Sequence, residues 1–214
     1  MAEFFMPTVV FDFDGTIADT MSVVIRIANK FADHYGYRKI PLSDLPKLRE
    51  KRPSEVLKHL GISIFKLPIV VRKIRFEMNK EIVHLKTVVD IRETLEKLKK
   101  NGCILGILTT NSRENVMEFL KNNDLQLFDF VYSGRAVYGK SRLLKKLMHE
   151  KTIPHEDPIY VGDEIRDVEA AKKAGIRVIS VSWGYNTKNA LEKASPDYIV
   201  EKPEDLQTII LNNK

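Results

Sequence analysis

Asp12 and Asp14 stand two residues apart at the end of an apolar, β-branched run, Thr8-Val9-Val10-Phe11, and Gly15-Thr16 follows them. In an extended chain, residues i and i+2 project to the same side, so both carboxylates reach one small ligand. Two anions so placed repel each other unless a cation or a shared proton lies between them. The competing role is local, with one Asp capping a turn built on Gly15 and Thr16. A second acidic group, Val161-Gly162-Asp163-Glu164-Ile165-Arg166-Asp167, again follows an apolar run. Asp163 and Asp167 are four apart and share one face of a starting helical turn, where acids also favour the helix dipole. Carboxylates converging with no cysteine cluster and no suitable His pair suit a hard cation with oxygen ligands, most simply Mg²⁺. Leu108-Thr109-Thr110-Asn111-Ser112 puts hydroxyls and an amide where a strand passes into a helix, a place for phosphate and equally for a helix cap. Gly139-Lys140-Ser141 puts a lysine at a loop-to-helix boundary.

The elements that must position these groups are legible in the apolar spacing. Thr8 to Phe11, Ile104 to Leu108, Phe130 to Tyr132, Ile159 to Val161 and Val178 to Val181 are short apolar runs without polar alternation. Strands buried on both faces of a parallel sheet have that character. Between them, Asp90 to Lys100 carries Ile91, Leu95 and Leu98 on one face, with Asp90 and Glu93 spaced as a capping box. Ser112 is positioned to cap a helix carrying Val116, Phe119 and Leu120; Ser141 to Met148 and Asp167 to Ala174 complete the alternation. The expected architecture is an α/β, Rossmann-like, three-layer fold with a parallel sheet and its ligands beyond the carboxyl ends of the strands. Residues 18–84 break the pattern with helical periodicity: Met21 to Tyr35 stopped by Gly36, a helix from Pro53 to Gly61, and another over Pro68 to Leu85. The division expected is therefore a core of residues 1–17 and 85–214, and a helical cap of residues 18–84 inserted after the first strand.

In this order and over nearly the whole chain, the set resembles the haloacid dehalogenase-like hydrolase superfamily. Asp12-Phe13-Asp14-Gly15-Thr16 matches its first motif, Thr110 its second, Lys140 its third, and Gly162-Asp163 with Asp167 its fourth. The insert looks like a type 1 cap, and the nearest branch is the phosphoglycolate phosphatase-like group. Where that branch commonly continues its lysine into Lys-Pro-x-Pro, this chain has Lys140-Ser141-Arg142-Leu143. The resemblance implies Asp12 as nucleophile, an aspartyl-phosphate intermediate, and Asp14 as the acid that protonates the leaving group and then the base that activates water. It implies Mg²⁺ held by the Asp12 carboxylate, the Asp14 carbonyl and Asp163. Thr110 and Lys140 would hold the transferring oxygens, Asn111 is a candidate substrate contact or a helix cap, and Thr16 and Asp167 would support the site from behind. The implied substrate is a small phosphorylated metabolite. A sugar phosphomutase would use the same core, and a phospho-accepting regulatory domain is disfavoured by the long helical insert.

The chain has 214 residues with 35 Lys and Arg against 29 Asp and Glu, a formal charge of +6. A nucleic-acid-binding protein is the reading from another class that this excess invites, yet no recognition helix, RNP-type strand or zinc finger accompanies it. Residues 18–84 hold 14 of the cationic and 7 of the anionic residues, so the whole excess lies in the insert. A basic lid over an acidic pocket suits small phosphorylated anions; Arg26, Arg49, Lys51 and Arg52 are its candidate substrate contacts, and Asp19 its hinge. One cysteine, Cys103, excludes a disulfide framework and reads as a buried thiol. His34, His59 and His84 lack ligand spacing, and Trp183-Gly184-Tyr185-Asn186, which follows a strand, reads as aromatic packing, with an edge of the active-site mouth as its alternative role. No apolar stretch approaches the roughly 18–20 residues of a membrane span, and residues 1–11 lack the basic start of a secretory signal. The expectation is a cytoplasmic monomer or weak homodimer with no nucleic-acid or membrane partner.

Overall fold

The computed structural model describes residues 7–134, 139–149 and 158–212. The secretory-signal reading and the first residues of the expected core therefore lie partly outside the described residues. Six parallel strands, β1 (Thr8–Phe11), β2 (Ile104–Thr109), β3 (Phe130–Ser133), β4 (Ile159–Gly162), β5 (Arg177–Val181) and β6 (Tyr198–Val200), form one sheet in the order β3-β2-β1-β4-β5-β6. Every residue of β1 is buried, as its unbroken apolar pattern requires. Phe11 is in register with Ile107 of β2 on one side and Val161 of β4 on the other. The strand order reverses at β1, so the chain opens a crevice there, at the carboxyl ends of β1, β2 and β4.

Between β1 and β2 the chain forms α1 (Met21–Tyr35), α2 (Leu45–Leu48), α3 (Pro53–Leu60) and α4 (Leu67–Glu81), with a 3-10 turn over Ile82–His84 before α5 (Ile91–Lys100). The stop at Gly36 is real: the residue is left-handed and its N–H bonds to the Ala32 carbonyl. α1 and α4 pack on each other around Ala32, Tyr37 and Val70 and carry ion pairs Arg26–Glu81 (3.0 Å) and Lys30–Glu77 (3.1 Å) on their outer faces. At their base, Ile27, Met78 and Ile82 join the apolar cluster beneath the sheet, with Phe11, Leu95 and Ile107. The two passages of chain between helices and sheet lie side by side: Asp19 N–H bonds to the Lys86 carbonyl (3.0 Å) and Val88 N–H to the Ile17 carbonyl (2.9 Å).

Beyond β2 come α6 (Arg113–Asn122), α7 (Lys140–Met148), α8 (Ile165–Ala174), α9 (Lys188–Ala194) and α10 (Pro203–Asn212). Ser112 caps α6 as expected, accepting from Asn115 N–H. Asp90 does not form the expected capping box; it is left-handed (φ 62°), a backbone that turns its side chain away from the α5 amides. β6, α9 and α10 go beyond the sequence expectation: a three-residue Tyr-Ile-Val strand is too short to show periodicity. No helix among the described residues is long and apolar enough to cross a membrane.

Candidate active site

Asp12 is the first residue after β1, with its N–H on the Val161 carbonyl of β4 (2.8 Å). Asp163 follows β4, and Asp167 lies in the first turn of α8. All three are buried, and one carboxylate oxygen from each lies within 4.8 Å of the others. Lys140, the first residue of α7, donates from Nζ to Asp12 Oδ2 (2.7 Å) and to Asp167 Oδ1. The lysine side chain is only 8% exposed. Thr16 Oγ1 donates to Asp163 Oδ1 (2.7 Å), and the Tyr185 N–H donates to Asp163 Oδ2 (2.7 Å). Asp167 Oδ2 accepts from Glu164 N–H (3.0 Å), closing a capping box on α8. The parallel sheet thus gathers Asp12, Thr16, Lys140, Asp163 and Asp167, five expected residues from three separate stretches of chain.

Burial dominates the electrostatics. It pushes Asp12 up from the ordinary carboxylate value, against the Lys140 charge. Asp163 is raised well above that value by burial and then by Glu164, Asp167 and Asp12. For Lys140, burial alone would lower the ammonium, but Asp12 and Asp167 overcome it and hold it well above the ordinary lysine value. Asp14 keeps some contact with solvent yet sits deep enough that burial, then the Asp12 charge, lifts it to about 6. Lys140, Arg166 and a hydrogen bond from Thr20 act in the opposite sense on Asp14. Glu164 is lifted to about 7 by burial, opposed chiefly by Arg166, whose Nε donates to it at 2.8 Å.

Burial and mutual repulsion disfavour the ionised state of Asp12 and Asp163, and Lys140 offsets this only in part. An all-oxygen set of this kind fits a hard divalent cation. The Asp14 carboxylate is not in that group, whereas Asp167, expected only to support the site from behind, is. Thr110 follows β2 and is half-buried. The Asn111 side-chain carbonyl is taken up by Ser112 N–H (2.8 Å) and Asn115 Nδ2 (3.1 Å), so its amide group serves the start of α6.

Sequence reasoning missed what holds Asp163. Gly184 packs so tightly that a Cβ there would collide with the Asp163 carboxylate, and a Cβ at Gly15 would meet the same group. Backbone donors such as Tyr185 N–H leave no sequence signal; two glycines near acidic motifs are the nearest thing to one. Gly184→Ala is expected to displace Asp163, weaken any divalent-cation binding at the acid cluster about 10-fold or more and cost about 1–3 kcal/mol of stability. Calorimetry and thermal melting read the two effects, and wild-type values in both would refute the packing argument.

Of the insert's cations, Arg26 is engaged with Glu81, and Arg52 reaches Glu169 of α8 (2.6 Å). Arg49 Nη2 donates to the carbonyls of Ser182 (3.2 Å) and Gly184 (2.8 Å), and the Lys51 carbonyl accepts from Asn186 (3.1 Å). A cavity of about 490 Å³ is lined among others by Gly15, Asp19, Val88, Trp183, Gly184 and Glu201, and by none of Asp12, Asp14, Asp163 and Asp167. Trp183 both packs on the main core and edges this cavity, donating from Nε1 to the Thr16 carbonyl (3.2 Å).

A buried carboxylate at the end of β1, a lysine paired with it and a triad of buried acids on this sheet order coincide with a known sequence profile. The chain belongs to the haloacid dehalogenase-like hydrolases, whose profile matches residues 9–181. It is 33% identical over 202 residues to the phosphoglycolate phosphatase of Synechococcus elongatus, covering 94% of this chain and 95% of that protein. It is 29% identical over 208 residues to the pyrophosphatase PpaX of Bacillus mycoides, covering 95% and 96%. Among solved structures, a haloacid dehalogenase-like family hydrolase from Streptococcus pneumoniae superimposes with a TM-score of 0.79 at 22% identity, over 96% of this chain and 98% of that one. At that identity the likeness speaks to the fold.

Proposed function

We propose that the protein is a divalent-metal-dependent phosphatase of small phosphorylated metabolites, working through an aspartyl-phosphate on Asp12, with residues 18–84 as its cap. The observation that carries this reading is the buried Asp12–Lys140–Asp167 network beside Asp163. The full-length similarity to a phosphoglycolate phosphatase and a pyrophosphatase supports it. Asp12, Asp163 and the Asp14 carbonyl would hold Mg²⁺, which supplies charge neutralisation for the phosphoryl oxygens.

Asp12 Oδ attacks phosphorus in line; the new O–P bond forms as the ester P–O bond breaks. Asp14, held near 6 and so partly protonated, delivers its proton to the departing alkoxide. It then takes a proton from the water that cleaves the aspartyl-phosphate, returning both carboxyl groups to their starting states. Lys140, fixed between Asp12 and Asp167, aims its charge at the transferring oxygens while keeping Asp12 oriented. Thr110, at the carboxyl end of the neighbouring strand, offers its hydroxyl to the same oxygens. Asp167 holds Lys140, and Thr16 holds Asp163.

The decisive experiment is a screen of phosphorylated metabolites for phosphate release with and without Mg²⁺. Release from at least one of them, dependent on the metal, is expected; none from any would overturn the assignment. The acid role of Asp14 makes a separate prediction. As pH rises through about 6 the proton-carrying form is depleted, so kcat/KM on an alkyl phosphate is expected to fall above that pH. Asp14→Ala is expected to lose about 10²–10⁴-fold on alkyl phosphates, while still giving a burst of nitrophenol from 4-nitrophenyl phosphate, whose leaving group needs no proton. Mg²⁺ binding by calorimetry is expected to survive, and its loss would show that the Asp14 side chain serves the metal instead.

A further inference from the structure

Cap and core are joined by two covalent passages, and also by a noncovalent strap. Segment 49–52, between α2 and α3, lies against the loop that follows β5. Arg49 Nη2 donates to the Ser182 and Gly184 carbonyls, as above. In return Asn186 Nδ2 donates to the carbonyls of Arg49 (2.7 Å) and Lys51 (3.1 Å), and Thr187 N–H to that of Arg49 (3.2 Å). Glu50 accepts from the Thr187 hydroxyl and from Asn189 Nδ2 (2.8 Å).

Asn186 is the joint of this arrangement. It is 2% exposed, and its side chain is satisfied at both ends. Oδ1 accepts from the N–H of Ile165 (2.9 Å), the first residue of α8, two residues before Asp167. Its backbone N–H donates to the Asp163 carbonyl (3.2 Å), and the N–H of the preceding Tyr185 holds Asp163 Oδ2. A carboxamide that merely closed its own loop would spend its donors locally. Both go instead to cap backbone 137 and 135 residues away in sequence.

We propose that Asn186 is a positioning residue that couples the seating of cap segment 49–51 to the placement of Asp163 and Asp167. The acid cluster is fully set for a cation only when the strap is seated, because one side chain spans both. This inference rests on the reading of the cluster as the metal site of a phosphatase. Asn186 touches neither substrate nor cation; it acts through Asp163 and the first turn of α8, as outer hydrogen-bond partners do at metal sites.

Trp183 is the single tryptophan of the chain and lies between the two residues whose carbonyls bind Arg49, so its emission reports the seating of the strap. The full-length protein, Asn186→Ala, Asn186→Asp, Arg49→Ala and the Asn186→Ala/Arg49→Ala double variant are to be titrated with Mg²⁺ alone, by calorimetry and by Trp183 fluorescence. Each single variant is expected to shift the emission and weaken Mg²⁺ binding about 10-fold. Asn186→Asp keeps the acceptor for Ile165 but not the donors to the cap, and is expected to behave like Arg49→Ala. The double variant is expected to lose less than the two single losses combined, since both residues hold one strap. Where phosphate release is measurable, the Mg²⁺ concentration for half-maximal rate is expected to rise while kcat at saturating Mg²⁺ is largely kept; a purely structural residue would lower the melting temperature without that split. Wild-type Mg²⁺ affinity in folded Asn186→Ala, or strictly additive losses, would overturn the coupling. If Asn186→Ala does not fold, Arg49→Ala decides alone, and wild-type Mg²⁺ affinity there overturns it. These readouts need no substrate, so a wild-type protein that binds Mg²⁺ but hydrolyses no phosphomonoester would sink the phosphatase reading and leave the coupling to be judged by affinity.

Discussion

Asp12→Asn is expected to abolish phosphate release, with a loss on the order of 10⁴–10⁶-fold in kcat, the scale seen when a covalent nucleophile is removed. Asparagine has nearly the same shape and keeps an oxygen for Lys140 Nζ, which lies 2.7 Å from Asp12 Oδ2. What disappears is the anion that, in the proposed mechanism, forms the bond to phosphorus, and a neutral amide oxygen cannot carry a stable acyl phosphate. The fold is expected to survive, because burial already raises the Asp12 carboxyl above its ordinary value and a neutral side chain escapes that cost. Phosphate release together with a thermal melt settles the matter: a folded Asp12→Asn protein retaining more than about a hundredth of wild-type activity would exclude Asp12 as nucleophile.

Lys140→Met carries the second large effect, on stability as well as rate. The lysine bridges two carboxylates whose side chains are 6% and 0% exposed, so removing it strands two anions in a poorly solvated pocket. Breaking a buried pair from one side costs about 3–5 kcal/mol. The sign of its pH dependence follows from Asp12, whose folded-state pKa is already raised and rises further without the cation. A carboxyl with a raised folded pKa binds more protons folded than unfolded, so stability falls as pH increases through that window. The deficit of Lys140→Met is therefore expected to be large near pH 8 and to shrink towards pH 4, in urea titrations of variant and wild type without metal. A variant as stable as wild type at pH 8 would show that solvent, and not Lys140, compensates these acids. Phosphate release by the variant is expected to fall with the stability, because in the proposed mechanism the same ammonium aims at the transferring oxygens.

Much of this was legible in the chain because the site is written in acids that follow apolar runs. Asp12-x-Asp14 and Asp163 with Asp167 stand where two strands end, and a parallel sheet brings such ends together. Lys140 could be placed only by order along the chain, since one lysine among 35 cationic residues has no signal of its own. The failures have a common cause in long-range backbone contacts. Tyr185 N–H, Gly184 and Asn186 act on residues 21 or more positions away, through a main-chain donor, through the absence of a side chain and through a carboxamide bound to distant backbone. Asp90 had the spacing of a capping box, but its left-handed backbone decided otherwise. Arg49 and Arg52 were visible as cations of the insert, whereas their partners Ser182, Gly184 and Glu169 were not.

The position of β1 at the middle of the sheet bears on how the protein is made. Among the described strands β1 is the earliest in the chain, yet its neighbours β2 and β4 begin only at Ile104 and Ile159. Until then a four-residue strand, three of its residues apolar, has two open hydrogen-bonding edges, a template for pairing with other nascent chains. The helices encoded directly afterwards close local contacts and can fold during that interval, and Ile27, Met78 and Ile82 offer the unfinished core an early apolar cover. Catalytic competence arrives last, when the turn carrying Asp163 and Asp167 reaches Asp12, so a truncated chain of this protein is an aggregation hazard well before it is an enzyme.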